Sequence, residues 1–327
     1  MEQLTMVSAI NQGLRRAMNS DPKVLLMGED IGKLGGVFRV TDGLQRDFGE
    51  DRVIDSPLAE SGIVGTAIGL ALYGYRPVVE IQFDGFVYPA FDQIVVQLAR
   101  MRYRSAGALH LPITIRLPIG GGIGSVEHHG ESPEAYFAAT PGLRVVACAD
   151  PADAYWMIQQ AIASDDPVIF LEPKRRYWQK GECDTSADLS SAHPMYKAKV
   201  LVEGSDCTLI SYGPTVATCL QAARLADEDG IKLEVIDLRS LSPLDLPTLV
   251  ESVKKTGRAV VVHEASSSGG VGGEIGQCLA QECFYYLQAP VLRVTGYDTP
   301  YPPSRIEDDY LPDAQRVLDA VEKSMRF

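Results

Sequence analysis

Two α/β domains, each built on a largely parallel sheet, are what this sequence predicts, and three observations carry the reading. Short apolar runs alternate with helical stretches from residue 5 to about 180. A polar, turn-rich stretch then breaks the alternation at about 181–196. Beyond it the alternation restarts and continues toward the C-terminus. Strands separated by helices need crossover connections, so neighbouring strands run parallel and helices cover both faces of the sheet. The domains are read as 1–185 and 201–327, joined by a linker at 186–200.

In chain order, a helix is expected over Met6–Met18, then a strand at Val24–Met27 that ends in Gly28-Glu29-Asp30. Ser56-Pro57 reads as a helix start: a side-chain oxygen for free N–H groups, followed by a ring already near helical φ. A strand follows at Arg76–Phe83, then a helix over about 90–104 with Ile94, Val95, Leu98 and Met101 at helical spacing. Leu111–Leu117 and Pro167–Glu172 are further strands, and Ser132-Pro133 and Asp150-Pro151 read as helix starts. In the second half, strands are expected at Cys207–Ser211, Leu233–Leu238, Ala259–His263 and Val291–Thr295. The helices between them fall near Thr215–Asp227, Pro247–Lys255 and Glu274–Leu287.

The helix after Ser56-Pro57 places Glu60 in its first turn, followed by Ile63, Val64 and the small residues Gly62, Gly65 and Gly69. A carboxylate in apolar company must hydrogen-bond something or shift its pKa. The plainer alternative is a solvated acid that favours the helix dipole. Gln82-Phe83-Asp84-Gly85-Phe86 lies where a strand ends, the edge at which open parallel sheets bind ligands. Its phenylalanines form either part of the core or an aromatic wall on a cleft. His128 and His129 follow the glycine-rich Gly120–Gly124 and precede Gly130-Glu131-Ser132-Pro133-Glu134. Adjacent histidines on an extended chain point apart, which disfavours a shared metal. They are loop residues without special duty or, near neutral pH, a proton donor.

Other classes are excluded by composition. A net charge of −13 over 327 residues opposes nucleic-acid binding, which needs a basic footprint. No apolar run approaches the ~20 residues that span a bilayer, so no membrane association is expected. Six cysteines without a Cys-x-x-Cys pair read as free thiols in a reducing cytoplasm. Gly269–Gly276 fails the dinucleotide fingerprint because residue 275 is Ile, and it reads as a tight turn. Gly120–Gly124 lacks the lysine ending of a phosphate loop.

Taken together, Pro57-Leu-Ala-Glu60-Ser-Gly-Ile-Val-Gly65, Glu80-Ile-Gln-Phe-Asp-Gly-Phe86 and Pro89-Ala-Phe-Asp-Gln-Ile94 resemble the beta subunits of thiamine-diphosphate-dependent 2-oxo acid dehydrogenases. The likeness runs from Val24-Leu-Leu-Met-Gly-Glu-Asp-Ile31 to Thr299-Pro-Tyr-Pro302. It implies a pyrimidine-binding first domain and a transketolase C-terminal-like second domain. By the family pattern Glu60 activates the cofactor through its aminopyrimidine ring. Phe86 stacks on that ring, Gln82 hydrogen-bonds nearby, and Leu58, Ala59 and Glu29 border it. His129 matches the family's active-site histidine, which donates a proton as the acyl group passes to a lipoyl arm. His128 is given a lesser, pocket-lining role, and Phe83 joins Phe86, His128 and His129 around the substrate. No Gly-Asp-Gly magnesium motif occurs in the chain. The resemblance therefore implies that thiamine diphosphate is shared with an alpha subunit that holds Mg2+, in an α2β2 assembly. A lipoyl-bearing dihydrolipoyl acyltransferase core is the further partner.

Glu131–Phe137 and Pro167–Tyr177 look most like branched-chain 2-oxo acid dehydrogenases, with pyruvate and acetoin dehydrogenases as close alternatives. A transketolase-like catalyst completed by a separate diphosphate half, and a scaffold relative without catalysis, are the other readings.

Overall fold

The computed structural model describes all 327 residues. Two main sheets organise the chain, with a small antiparallel ribbon (Glu2–Thr5 with Lys180–Cys183) beside them. The first sheet has seven strands, in the order Ser240–Ser242, Arg144–Ala147, Val168–Pro173, Thr114–Ile119, Arg76–Glu80, Val24–Gly28 and Val53–Asp55. All of its pairings are parallel except that of Ser240–Ser242. The second has five, in the order Leu292–Gly296, Ala259–Ser266, Cys207–Ser211, Leu233–Asp237 and Lys199–Val202, parallel but for the last. Both carry the near-continuous burial that strands covered on two faces require, as in Cys207–Ser211. The strand Ser240–Ser242 leaves the second half of the chain to pair with Arg144–Ala147 of the first sheet. One apolar core of 38 buried residues runs through both halves accordingly.

Several local expectations shift for physical reasons. Ser56 is no helix cap: the helix runs Glu60–Leu72, its N-cap is Ala59, and no side chain caps it. The Ser56 N–H bonds back to the Gly28 carbonyl at 2.9 Å, and its hydroxyl is buried without a partner. Pairing beside the sheet thus outcompetes the cap. The strand expected to reach Phe83 stops at Glu80, where its neighbour Val24–Gly28 ends in register while Thr114–Ile119 runs on past it. The helix expected over 90–104 is irregular: a 3-10 segment Asp84–Ala90, a π segment Gln93–Leu98 and an α segment Ala99–Arg104. The apolar spacing survives all the same, with Ile94 and Leu98 fully buried. Glu134–Ala138 begins after Pro133, leaving Ser132 outside, whereas Asp150 caps Pro151–Ala163 through its side chain. The last expected helix starts earlier, at Val271, and ends at Glu282. Its Gly270 and Gly272 lie against the His263 ring, where an added Cβ would come within 2.8 and 2.6 Å. Gly62, Gly65 and Gly69 meet no backbone from the rest of this chain.

Candidate active site

Parallel strands end together, and five of them in the first sheet deliver the candidate residues to one edge. Glu29 follows Val24–Gly28, the Glu60 helix follows Val53–Asp55, and Gln82, Phe83 and Phe86 follow Arg76–Glu80. The histidine loop follows Thr114–Ile119, and Lys174 follows Val168–Pro173. The Glu60 helix packs on the segment Asp84–Ala90, which brings the carboxylate helix against the aromatic segment.

Glu60 is 8% exposed, and no hydrogen bond or ion pair from this chain reaches its carboxylate. It is the first residue of an apolar helix whose inner side is Ile63, Val64, Ala67 and Ile68. Exposed Leu58 and Ala59 flank it at the mouth. Half-buried Glu29 faces the same space: its carboxyl is pushed up by burial first, then by repulsion from Asp30 and Glu60. The Gln82 amide lies near the Glu29 carbonyl, at 3.4 Å. A shielded acceptor beside a second acid, with the site mouth open, suits a ligand that brings its own donors.

His129 sits between two aromatic rings. Its imidazole centroid is 4.3 Å from that of Phe83 and 5.0 Å from that of Phe86, and the two phenyl rings meet edge-on at 5.6 Å. Both phenylalanines are half-buried, so they line a cleft rather than fill the core. The Glu127 carbonyl lies 2.9 Å from His129 Nδ1 and can only accept, so Nδ1 carries the hydrogen. Nε2 is left as the nitrogen that takes up or delivers a proton. His128 points elsewhere: its side chain is 59% exposed, it adopts φ +66°, and its Nδ1 lies 3.4 Å from Glu131. Tyr88 donates a hydrogen bond to Glu131 at 2.5 Å, closing this side of the loop.

Beneath the aromatic segment lie charges that sequence reading passed over. Asp84 and Lys174 form an ion pair, and neither side chain is exposed. Burial pushes the Asp84 carboxyl up to about 6, against the pull of Lys174 and of the Glu131 and Gly85 backbone N–H groups. The same burial pushes Lys174 down. A layer deeper, Arg116 donates to both oxygens of Glu172 at 2.7 and 2.9 Å and also pairs with Glu80. Tyr177 adds a hydrogen bond to Glu172 at 2.6 Å. Asp84 stood in view inside the Gln82–Phe86 motif, but the partner 90 residues away that gives it a role has no local signal. The second half of the chain also reaches the histidine loop, through Glu264, Tyr301 and Glu307.

Comparison with known proteins bears on this geometry. Residues 2–179 match the transketolase pyrimidine-binding domain, and residues 196–317 match the transketolase C-terminal domain. The chain is 57% identical over 327 residues to the pyruvate dehydrogenase E1 component subunit beta of Leifsonia xyli subsp. xyli, covering 100% of this chain and 96% of that one. It is 52% identical over 326 residues to the 3-methyl-2-oxobutanoate dehydrogenase subunit beta of Mycobacterium tuberculosis, covering 99% and 93%. Among solved structures, a split-gene transketolase described as an inactive beta4 tetramer aligns with a TM-score of 0.79 at 25% identity, over 99% of this chain and 98% of that one. No helix of the chain is long and apolar enough to cross a membrane.

Proposed function

This chain belongs to the family of 2-oxo acid dehydrogenase E1 beta subunits, built on the transketolase domains, and on that premise we propose that it serves a branched-chain 2-oxo acid dehydrogenase of the cytoplasm. In this reading it joins an alpha subunit in an α2β2 assembly. The assembly decarboxylates a 2-oxo acid and passes the acyl group to the lipoyl arm of a dihydrolipoyl acyltransferase core.

The observation that carries the reading is the shielded, unpartnered Glu60 carboxylate at the head of a helix packed on the Asp84–Ala90 segment, which carries Phe86. Thiamine diphosphate, when bound, supplies the electron sink that decarboxylation needs. The residues present fit its aminopyrimidine half. Glu60 would accept a hydrogen bond at the ring nitrogen, Phe86 offers a flat apolar face, and Gln82, Glu29, Leu58 and Ala59 border the ring. The diphosphate half with its Mg2+ is assigned to the alpha subunit. His129 Nε2 would deliver a proton during acyl transfer, held in the required tautomer by the Nδ1 bond to Glu127. Phe83 and Phe86 would exclude water around it, with His128 at the rim.

Pyruvate is the second reading, favoured by the name of the Leifsonia relative. One methylene more or less in a pocket changes discrimination by only about 1–3 kcal/mol, and part of the pocket would lie on the partner. The test is co-expression with the alpha subunit and comparison of kcat/KM for pyruvate and 3-methyl-2-oxobutanoate. Preference for the branched substrate is expected; preference for pyruvate would replace the first reading by the second. Tight stoichiometric binding of thiamine diphosphate by the isolated chain would overturn the shared site.

A further inference from the structure

The loop that carries His129 begins with three glycines in left-handed conformations, Gly120, Gly122 and Gly124, at φ +80°, +84° and +66°. Successive N–H groups in such a chain converge into an anion-binding concavity. Here the anions are side chains of the second domain. Glu307 accepts from the Gly122 N–H at 2.8 Å with one oxygen and from the Gly124 N–H at 3.0 Å with the other. Glu264 accepts from the Gly121 N–H at 3.0 Å and pairs with Arg175. Tyr301 donates its hydroxyl to Glu307, and its ring lies against the loop. A Cβ on Gly130, the residue after His129, would come within 2.5 Å of that ring, and one on Gly121 within 1.7 Å of the hydroxyl. Glu307 is only 6% exposed. These are charge-assisted bonds to backbone donors, the stronger class of hydrogen bond.

We propose that Glu307 and Tyr301 of the second domain are positioning residues for His129, latching its loop so that the imidazole stays between Phe83 and Phe86. Glu307 holds the backbone before the histidine, at Gly122 and Gly124, and Tyr301 lies against the backbone on both sides of it, at Gly121 and Gly130. The proposal deepens the functional reading above and rests on its assignment of acyl transfer to His129.

The experiment uses the α2β2 enzyme with a free lipoyl domain, in the variants Glu307→Ala, Glu307→Gln and Tyr301→Phe. Hydrogen exchange at Gly122 and Gly124 is expected to accelerate at least about tenfold in Glu307→Ala, with little change in the sheet strands. Misplacement of about 1 Å can lower a rate about a hundredfold. The kcat for lipoyl acylation should therefore fall by about that factor, with KM for the lipoyl domain nearly constant. Decarboxylation with an artificial electron acceptor should change less than about threefold, on the same reasoning. Glu307→Gln, which keeps one acceptor oxygen, should recover most of the loss, and Tyr301→Phe should give a smaller one, with circular dichroism checking that each variant is folded. Unchanged exchange in Glu307→Ala would overturn the latch outright. Faster exchange with unimpaired acylation would also overturn it, provided His129→Ala abolishes acylation in the same assay. If His129→Ala leaves acylation intact, it is the functional reading that fails, and exchange alone then decides the latch.

Discussion

Glu60 and His129 stand at one edge of the first sheet but rest on different kinds of support. Glu60 opens a regular helix whose inner face is apolar, and that helix packs on the segment immediately following the next strand. The elements it packs on most, Val24–Gly28, Arg76–Glu80, Asp84–Ala90 and Gln93–Leu98, are its neighbours along the chain. His129 stands on a loop with left-handed residues at 120, 122, 124 and 128, fastened by bonds spanning 143 to 185 residues. A helix start is a local device; a glycine-rich loop gains a single shape only from what grips it. The carboxylate position should therefore survive damage to the second domain, while the histidine position should not.

The sharpest way to break this contrast is to remove each group. Glu60→Gln in the assembled enzyme should lower decarboxylation and overall flux together, by about 10²–10⁴-fold, the usual worth of a positioned acid or base. His129→Ala should stop lipoyl acylation while dye-coupled decarboxylation continues. Equal losses in both assays for both variants would erase the distinction.

The shared floor comes next. Lys174→Met leaves Asp84 buried without its cation, and a broken buried pair costs about 3–5 kcal/mol. Urea unfolding should show that loss, and a double variant Asp84→Asn, Lys174→Met should regain much of it. A single-variant loss below about 1 kcal/mol would mean that the pair sees more solvent than its burial indicates.

Acid should loosen the support of His129 through the second domain. His263, next to Glu264, is fully buried and pushed down to about 4, mainly by desolvation. Its Nδ1–H donates to the Ala265 carbonyl at 3.1 Å, and the Gly272 N–H donates to Nε2 at 3.3 Å, so the neutral ring is satisfied at both ends. Between about pH 6.5 and 4 the unfolded chain binds this proton and the folded chain does not. Its stabilisation is therefore complete above pH 6.5 and lost as pH falls toward 4, by about 3 kcal/mol. The acid dependence of unfolding should be shallower in His263→Gln by that order, and equal slopes would contradict the assignment.

The smallest effect tests the Glu60 side. A true cap serine lost to alanine costs about 1 kcal/mol. The Ser56 hydroxyl is buried without a partner, so Ser56→Ala should change stability by less than about 0.5 kcal/mol, or raise it, in the same unfolding assay.

Legibility in the sequence follows the range of the interactions. The strand Cys207–Ser211 was readable to the residue because five consecutive apolar or small β-formers, buried on both faces, allow little else. The Asp150-Pro151 start held because cap and helix are covalent neighbours. Ser56-Pro57 carries the same kind of signal, a capping side chain before proline, and failed, because a sheet-edge bond to Gly28 claims that backbone. Glu29, Gln82, Phe83 and Phe86 could be placed at one sheet edge by strand ends alone, whereas the contacts of His129 with both rings could not be. Asp84 received no role from its motif, and Glu307, one of three consecutive acids Glu307-Asp-Asp309, drew no notice at all.

By itself the sequence determined the two α/β layers, the apolar strands, the family resemblance and the acid at the head of its helix, since each depends on periodicity or on neighbours along the chain. Only the tertiary structure decided that Asp84 meets Lys174, that the second domain lends a strand to the first sheet, and that Glu307 and Tyr301 close on the histidine loop. Those outcomes are pairings of charges and backbone donors brought together by the whole fold. No local pattern records them, because the partner that satisfies each group is selected by three-dimensional proximity and not by spacing in the chain.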